Sequence, residues 1–258
     1  MRIILLQLQK MLEVSQLAVN YQGVTALDNI SFTLDAGQLL GIIGPNGAGK
    51  STMLKAMLGL VPAVSGLVRF ECERLDKHLS AIAYVPQRSQ IDWDYPATVQ
   101  DVVMMARTVH TGWFRSYSHR SREVVAAALK RVGLWDLRHR QIAQLSGGQQ
   151  QRVFLARSLA QEAELFFFDE PFSSVDLATE EIIFDVFAEL KAQGKTLIVV
   201  SHDLGETIER YDRLLLLSQR LIAYGSAGEV VTSENLRRAY GESRNRHIFA
   251  PREGLLSC

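Results

Sequence analysis

Long hydrophobic runs are missing from this sequence of 258 residues. Its apolar stretches, such as Leu39–Ile43 and residues 165–168, are far shorter than the roughly 20 residues that a membrane-spanning helix requires. The first ten residues also lack the small-residue cleavage site of a secretory signal. We therefore expect no transmembrane span and no export, with either Met1 or Met11 as the start of the protein.

The sequence also has few cysteines and no formal net charge. The two cysteines, Cys72 and Cys258, have neither metal-site nor redox spacing, which argues against a disulfide scaffold and a cysteine-based zinc site and favours a reducing, cytosolic setting. Lys plus Arg total 28 and Asp plus Glu total 28, so the formal net charge is zero. Proteins that bind nucleic acid generally carry a basic excess, and we expect no nucleic-acid partner.

Short apolar strands alternate with amphipathic helices, which predicts an α/β fold with a parallel sheet covered by helices. Residues 13–40 are predicted as strands joined by turns at Gly23 and Gly37. Helices are expected after Thr98, across residues 124–132 and across residues 148–160, with a loop over residues 108–121. We assign one domain to residues 13–235, a helical subdomain inserted at 84–160, and a polar, basic C-terminal tail at 236–258.

A glycine-rich loop follows the predicted strand Leu39–Ile43 and opens a helix, which is the context that a phosphate-binding P-loop requires. Its glycines allow backbone N–H groups to point at phosphate oxygens, and the helix N-terminus adds its positive dipole end. Lys50 would reach the β- and γ-phosphates, and the Ser51 hydroxyl would bind Mg²⁺. The predicted ATP-binding residues are Gly44, Pro45, Asn46, Gly47, Ala48, Gly49, Lys50, Ser51 and Thr52.

Two carboxylates, Asp169 and Glu170, end the apolar strand at 165–168. A charged strand end is common in itself. If this strand lies beside the P-loop strand, however, Asp169 would hold Mg²⁺ through its water shell and Glu170 would face the water that attacks the γ-phosphate. Residues 158–190 contain nine acidic residues and no basic one. This local charge supports a cation site, although some of these acids are explained more simply as a solvated helix face.

A third motif comprises Leu145, Ser146, Gly147, Gly148 and Gln149. Together with the P-loop before it and the carboxylate strand after it, this motif resembles the ATP-binding cassette (ABC) ATPases. The resemblance implies an ABC-type P-loop nucleotide-binding domain with an antiparallel β subdomain and an inserted helical subdomain. It also implies that residues 146–149 close over ATP held by the P-loop of a second copy, so that a homodimer completes each site.

The resemblance spans about residues 21–225 and assigns further roles. It implies that Tyr21 stacks on adenine, that Gln87 reaches the metal and the nucleophilic water, and that His202 contacts the γ-phosphate as a third catalytic residue beside Glu170 and Gln87. Asp176 corresponds to the loop that contacts the dimer partner, where Ser174 replaces the more usual Gly or Ala. The implied Mg²⁺ ligands are Ser51, Gln87 and Asp169.

The segment that follows Gln87 places Trp93 and Tyr95 among acidic residues, which suggests a contact surface, although packing of Trp93 into the helical lobe explains it equally well. This segment and residues 112–115 look like the ATPase subunits of bacterial manganese, zinc and iron importers. The resemblance implies a permease partner, indirectly a solute-binding protein, and a peripheral location on the cytoplasmic face of the inner membrane. Manganese or zinc is the preferred cargo and iron the next.

Other readings stay open at this point. The chain could serve an exporter or an organic-solute importer, or it could be a soluble ABC ATPase. Residues 110–140 carry seven Arg or Lys against two acids, which could indicate a nucleic-acid patch. A solvated surface near anionic lipid headgroups explains the same charge.

Overall fold

A computed structural model describes residues 10–111, 116–173, 175–202 and 205–241. Several features discussed above lie outside this part of the chain: the segment before residue 10, residues 112–115, Ser174, and everything after Gly241. Within the described ranges, no helix is long and apolar enough to cross a membrane.

The first sheet is antiparallel and begins with two long strands, β1 (Lys10–Tyr21) and β2 (Val24–Asp35). They are joined at Gly23, whose φ of 85° is a left-handed conformation that glycine adopts without strain. The strands β4 (Ser65–Phe70) and β5 (Glu73–Arg74) continue the sheet in the order β2-β1-β4-β5. The predicted strands and the Gly23 turn are thereby confirmed.

The second sheet has the strand order β10-β9-β3-β8-β7-β6. Its strands are β3 (Leu39–Ile43), β6 (Ile82–Val85), β7 (Leu165–Asp169), β8 (Thr196–Val200), β9 (Arg213–Ser218) and β10 (Arg220–Gly225). All neighbouring pairs are parallel except β9 with β10. The expected adjacency of the strand that carries Asp169 and the P-loop strand is therefore wrong, because β8 lies between β7 and β3.

Both faces of this sheet are buried, which is why its central strands are apolar throughout. Alternate side chains divide between two cores. Leu40 and Phe167 face the core shared with helix α1 (Lys50–Met57) and the antiparallel sheet, whereas Leu39 and Phe168 face the core shared with the helical lobe.

The helical lobe contains α2 (Val99–Met104), α3 (Thr108–Thr111), α4 (His119–Arg131) and α5 (Gly147–Ala160). Thr98 caps α2 as predicted, in a reciprocal capping box with Asp101. The predicted loop over residues 108–121 is partly wrong. Residues 108–111 are helical, and α4 already begins at His119 because the Ser118 hydroxyl accepts the backbone N–H of Ser121 at 3.1 Å.

The remaining helices are α6 (Leu177–Ala192), α7 (Ala227–Val230) and α8 (Ser233–Tyr240). Helix α8 crosses the proposed boundary between domain and tail at residues 235 and 236. Leu236 and Ala239 are three positions apart on this helix, and both are buried in the core of the helical lobe and sheet. The boundary therefore falls inside a packed helix, and the folded domain continues at least to Tyr240.

Candidate nucleotide site

The carboxyl ends of β3, β6, β7 and β8 meet at one edge of the sheet, where ligands bind in open α/β folds. The P-loop follows β3, Gln87 follows β6, Glu170 follows β7 and His202 follows β8. Together they surround a pocket of about 430 Å³. The lining residues are Asn46, Gly47, Ala48, Gly49, Lys50, Ser51, Thr52, Gln87, Glu170 and His202.

The P-loop depends on glycine at particular positions. Gly44 has φ 152°, and a Cβ there would lie 2.1 Å from the carbonyl oxygen of Leu217. Gly49 has φ 95°, and its Cβ would lie 2.7 Å from the carbonyl oxygen of Ala26. Side chains would be strained and crowded at both positions. The loop can therefore follow this path only because glycine occupies them.

Lys50 is 6% exposed and curls back across the loop. Its Nζ donates to the carbonyl oxygens of Gly44 at 2.8 Å and Pro45 at 3.0 Å. Burial lowers the pKa of this ammonium group, while the nearby carboxylates of Glu170 and Asp169 act in the opposite direction. The result is a cationic group at the pocket that now donates to backbone carbonyl oxygens and could donate to phosphate oxygens instead.

Ser51 and Asp169 join the P-loop helix to β7. The Ser51 hydroxyl donates to Oδ1 of Asp169 at 2.8 Å. The other carboxylate oxygen, Oδ2, is buried and has no hydrogen-bond partner among the described residues. Burial raises the pKa of Asp169, and the Ser51 hydrogen bond partly offsets this effect. A buried carboxylate with a free oxygen beside a hydroxyl is a donor set that suits a hard cation.

Glu170 and Gln87 form the second polar pair of the pocket. Nε2 of Gln87 donates to Oε2 of Glu170 at 2.8 Å, and Nδ1 of His202 lies 3.9 Å from the same oxygen. Glu170 has φ 53°, a left-handed conformation that is uncommon for residues other than glycine. The turn directs its side chain into the pocket, and the backbone N–H donates to the carbonyl oxygen of Val200 at 3.1 Å.

Residues 146–149 form the N-terminus of α5. The Ser146 hydroxyl accepts the backbone N–H of Gln149 at 3.3 Å, and the Gln149 side chain accepts the backbone N–H of Ser146 at 3.0 Å. Gly148 packs against α6, since a Cβ at this position would lie 2.8 Å from Oγ1 of Thr179. Ser146 to Gln149 do not appear among the residues that line the P-loop pocket.

Asp176 and Tyr21 also lie apart from that pocket. Asp176 caps α6 by accepting the backbone N–H of Thr179 at 2.7 Å, and this hydrogen bond lowers the pKa of the Asp176 carboxyl. Tyr21 ends β1 with 45% of its surface exposed. The roles of Tyr21, Asp176 and residues 146–149 stay predictions, because each of these roles involves a bound nucleotide or a second copy.

Two residues beside the site were not predicted from the sequence. Arg88, directly after Gln87, binds the side chain of Gln150 on α5 through Nε at 3.2 Å and Nη2 at 2.7 Å. The hydroxyl of Tyr84 on β6 is buried without a partner among the described residues, and burial raises its pKa to about 12. The only available sequence signal was the position of each residue within three positions of Gln87.

A family model described as ABC transporter matches residues 27–173, which is more than half of the chain. The chain belongs to the ABC transporter family. It is an ATP-binding subunit of this family, and such subunits are ATPases coupled to transport. Membership implies a membrane permease as a partner and a dimer as the working form, and the ABC fold predicted from the motifs is confirmed.

Similar proteins extend over nearly the whole chain. The manganese transport system ATP-binding protein MntB of Bacillus subtilis is 48% identical over 89% of this chain and 92% of its own. The zinc transport system ATP-binding protein TroB of Treponema pallidum is 47% identical over 92% and 89%. A metal-chelate type ABC transporter solved in an inward-facing conformation superposes with a TM-score of 0.79 at 30% identity, covering 90% of this chain and 89% of that one.

Proposed function

We propose that this ABC subunit supplies the energy for import of a divalent transition metal, with manganese or zinc as the preferred cargo and iron as the next. The observation that carries the proposal is the identity of 47–48% to the manganese and zinc transport ATPases over most of both chains. The cargo itself would be recognised by a permease and a solute-binding protein. Whether this subunit holds a cluster of metal-ligating side chains is neutral for this proposal, since the cargo would not bind here.

ATP would bind with its phosphates in the P-loop. The positive φ of Gly44, Gly47 and Gly49 supports a backbone path that presents N–H groups to phosphate, and Lys50 would move from carbonyl oxygens to the β- and γ-phosphates. One oxygen of Asp169 has no hydrogen-bond partner among the described residues, and it and the neighbouring Ser51 hydroxyl fit Mg²⁺. Gln87 would be a third ligand. Bound Mg²⁺ would neutralise phosphate charge during transfer.

Glu170 would act as the general base that takes a proton from the attacking water. Its carboxylate is half enclosed, points into the pocket and lies 2.8 Å from Nε2 of Gln87, an arrangement that supports orientation by the amide. His202 lies at the mouth of the pocket and would contact the γ-phosphate. Its distance of 3.9 Å from Glu170 leaves the imidazole free to turn towards the phosphate.

Two copies would form two complete sites. Residues 146–149 offer a capped helix N-terminus but stand outside the P-loop pocket of their own copy, which supports their use against ATP held by the other copy. Asp176 would lie at the contact between copies, and exposed Tyr21 would stack on adenine. ATP would close the dimer, and hydrolysis would reopen it. The resulting movement of the helical lobe, at the cytoplasmic face of the membrane, would switch the permease between its inward- and outward-facing states.

Replacement of Glu170 with Gln tests the hydrolytic assignment. The variant should bind ATP as the wild type does, lose nearly all turnover, and accumulate as an ATP-bound dimer in size-exclusion chromatography. The Glu181→Gln variant, altered on the solvent-exposed face of α6, serves as a control and should hydrolyse normally. Unchanged turnover in Glu170→Gln would reject this residue as the base.

Deletion of the gene tests the cargo. Uptake of manganese, zinc and iron should be measured side by side in the deletion strain and in strains that carry the wild-type or the Glu170→Gln gene. Loss of manganese or zinc uptake, restored only by the wild-type gene, is expected. If uptake of all three metals is unchanged, metal import is rejected while the ATPase assignment stands.

A further inference from the structure

Arg88 connects the nucleotide pocket to the helix that carries residues 146–149. It directly follows Gln87, whose amide contacts Glu170 at 2.8 Å. Its guanidinium donates two hydrogen bonds to Oε1 of Gln150, at 3.2 and 2.7 Å. Gln150 is the residue immediately after Gln149, in the first turn of α5. The Arg88 side chain therefore links the segment at Gln87 to the beginning of α5.

The acceptor of this pair is fixed on its other side. Gln150 is 4% exposed, and its Nε2 donates to the carbonyl oxygen of Ile142 at 3.1 Å. Because the amide nitrogen is occupied in this way, the amide oxygen must face Arg88. Hydrogen bonds from a charged donor are roughly twice as strong as neutral ones, and this pair forms in a partly buried setting.

Trp93 provides a second attachment between the same two elements. Its Nε1 donates to the carbonyl oxygen of Arg88 at 3.0 Å, and its ring centroid lies 5.7 Å from the guanidinium carbon. The ring packs edge-on against Phe154 of α5 at 5.4 Å. Gln150 and Phe154 are four residues apart, so they lie on the same face of α5. The segment after Gln87 thus contacts two successive turns of α5, through Arg88 and Trp93.

The location of the guanidinium is electrostatically unfavourable. A Cβ on Gly147 would lie 3.4 Å from the guanidinium carbon of Arg88, so the cation sits at the positive N-terminal end of α5. The bonds to Gln150 and the contact with Trp93 hold it there against that repulsion. An arginine kept at this end of α5 fixes the distance between Gln87 and the helix start.

We infer that Arg88 is a positioning residue, which makes residues 146–149 follow the position of Gln87 in the pocket of the same copy. The inference rests on the proposed use of residues 146–149 against the ATP of a second copy. In this arrangement the nucleotide in one pocket acts on Glu170 and Gln87, and Arg88 then sets the position of the α5 N-terminus. That N-terminus would bind the phosphates of ATP held by the other copy. Arg88 does not line the P-loop pocket of its own copy, so its effect on that pocket would pass through Gln87.

Arg88→Met removes the link and tests this role. Binding of ADP to the single copy should be unchanged within about twofold. Turnover should fall by roughly ten- to a hundredfold, because displacement of a binding group by about 1 Å has costs of this size. In the Glu170→Gln background, the ATP concentration that half-saturates dimer formation should rise by a similar factor, measured by analytical ultracentrifugation.

Two further variants separate positioning from folding. Arg88→Lys keeps the positive charge and most of the volume but loses the two-pronged contact, so its turnover should also fall. Gln150→Met removes the acceptor, and the double variant with Arg88→Met should be no slower than the slower single variant, since both changes break one link. Arg138→Met is the matched control. Arg138 stacks on Trp135 at 4.3 Å within the same lobe but is not bonded to Gln87 or α5 in the contacts of the described residues.

Wild-type turnover and wild-type dimer formation in both Arg88 variants would overturn the inference, as would fully multiplicative losses in the double variant. Loss of turnover in Arg138→Met to the same degree would overturn it too, because the effect would then belong to the lobe in general. If Arg88→Met is unfolded, Arg88→Lys decides by the same criteria. Failure of Glu170→Gln itself to dimerise with ATP would instead reject the proposed function.

Discussion

Gly148→Ala is expected to damage the contact between α5 and α6. A Cβ at Gly148 would lie 2.8 Å from Oγ1 of Thr179, with the Cβ and Cγ2 atoms of Thr179 at 3.6 and 3.7 Å. Thr179 is 3% exposed, and its backbone N–H is held by Asp176 at 2.7 Å. The new methyl group therefore collides with a buried side chain, and either Thr179 must rotate within its packed site or one of the two helices must shift.

Two opposing effects determine how much Gly148→Ala lowers the free energy of unfolding. Overpacking of a tight site costs about 1–3 kcal/mol, and replacement of a helical glycine by alanine returns about 0.4–1 kcal/mol. We expect a net loss of about 1–2 kcal/mol. For a chain of this size the Tm falls by about 2–4 °C for each kcal/mol, so a decrease of about 2–8 °C is expected. Turnover should fall as well, since the shift displaces residues 146–149 or Asp176.

Thermal denaturation followed by circular dichroism measures the effect. Gly228→Ala is the control, because a Cβ there meets no atom within 4 Å, and its stability should equal or exceed that of the wild type. A Thr179→Ala background removes Oγ1 and Cγ2 and leaves only Cβ at an ordinary contact distance of 3.6 Å, so Gly148→Ala should become nearly neutral there. Equal stability of Gly148→Ala and Gly228→Ala, or an undiminished loss without the Thr179 side chain, would refute the steric argument.

Three further predictions concern single side chains. Lys50→Ala should raise the Kd for ATP about 10- to 100-fold, because a hydrogen bond to a charged group contributes about 1.5–3 kcal/mol; calorimetry with unchanged affinity would contradict the P-loop assignment. Glu162→Gln should lower stability at pH 7 by about 0.5–1 kcal/mol, because it weakens the contact at 2.7 Å with buried Arg107, while solvent screens the 38% exposed Glu162 side chain. Despite the opposing effect of burial, the two arginines that face Glu162 lower its pKa from 4.5, so this stability is present above about pH 4.5 and is lost as pH falls through the lower folded-state value. A difference between wild type and variant that does not shrink as the pH is lowered below 4.5 would contradict this. Tyr84→Phe should raise the urea midpoint in nucleotide-free protein, because it removes a buried hydroxyl that has no partner in the described part of the chain, worth about 1–3 kcal/mol; a lower midpoint would show that the hydroxyl has a partner.

Much of the pocket could be predicted because its residues follow strands. Gly44, Glu170 and His202 each come directly or almost directly after an apolar run, and parallel strands bring their carboxyl ends to one edge. No knowledge of strand order was needed for that convergence. The assumed adjacency of β7 and β3 was wrong, yet Ser51 and Asp169 still meet at 2.8 Å, because the P-loop helix reaches across β8.

Local rules also predicted several helix starts, although those of α3, α7 and α8 were not predicted and α4 begins five residues before the expected position. Thr98 and Ser146 cap their helices through hydrogen bonds within three residues, so the chemistry that decides them is contained in the local sequence. The errors arose where distant packing decides. Residues 108–111 have no clear apolar period, and α8 was taken for a polar tail although Leu236 and Ala239 fill a core made by other elements.

The sequence alone therefore determined the nucleotide chemistry of this protein, because P-loop, carboxylates and helix caps are short patterns whose geometry is set by nearby backbone. Tertiary structure decided how these parts are joined. The link from Gln87 through Arg88 to Gln150 spans 62 residues of chain between its two partners, and the contact of Gly148 with Thr179 joins two helices. Such contacts depend on the packing of a helical lobe against a sheet, and no local pattern specifies which side chains then meet.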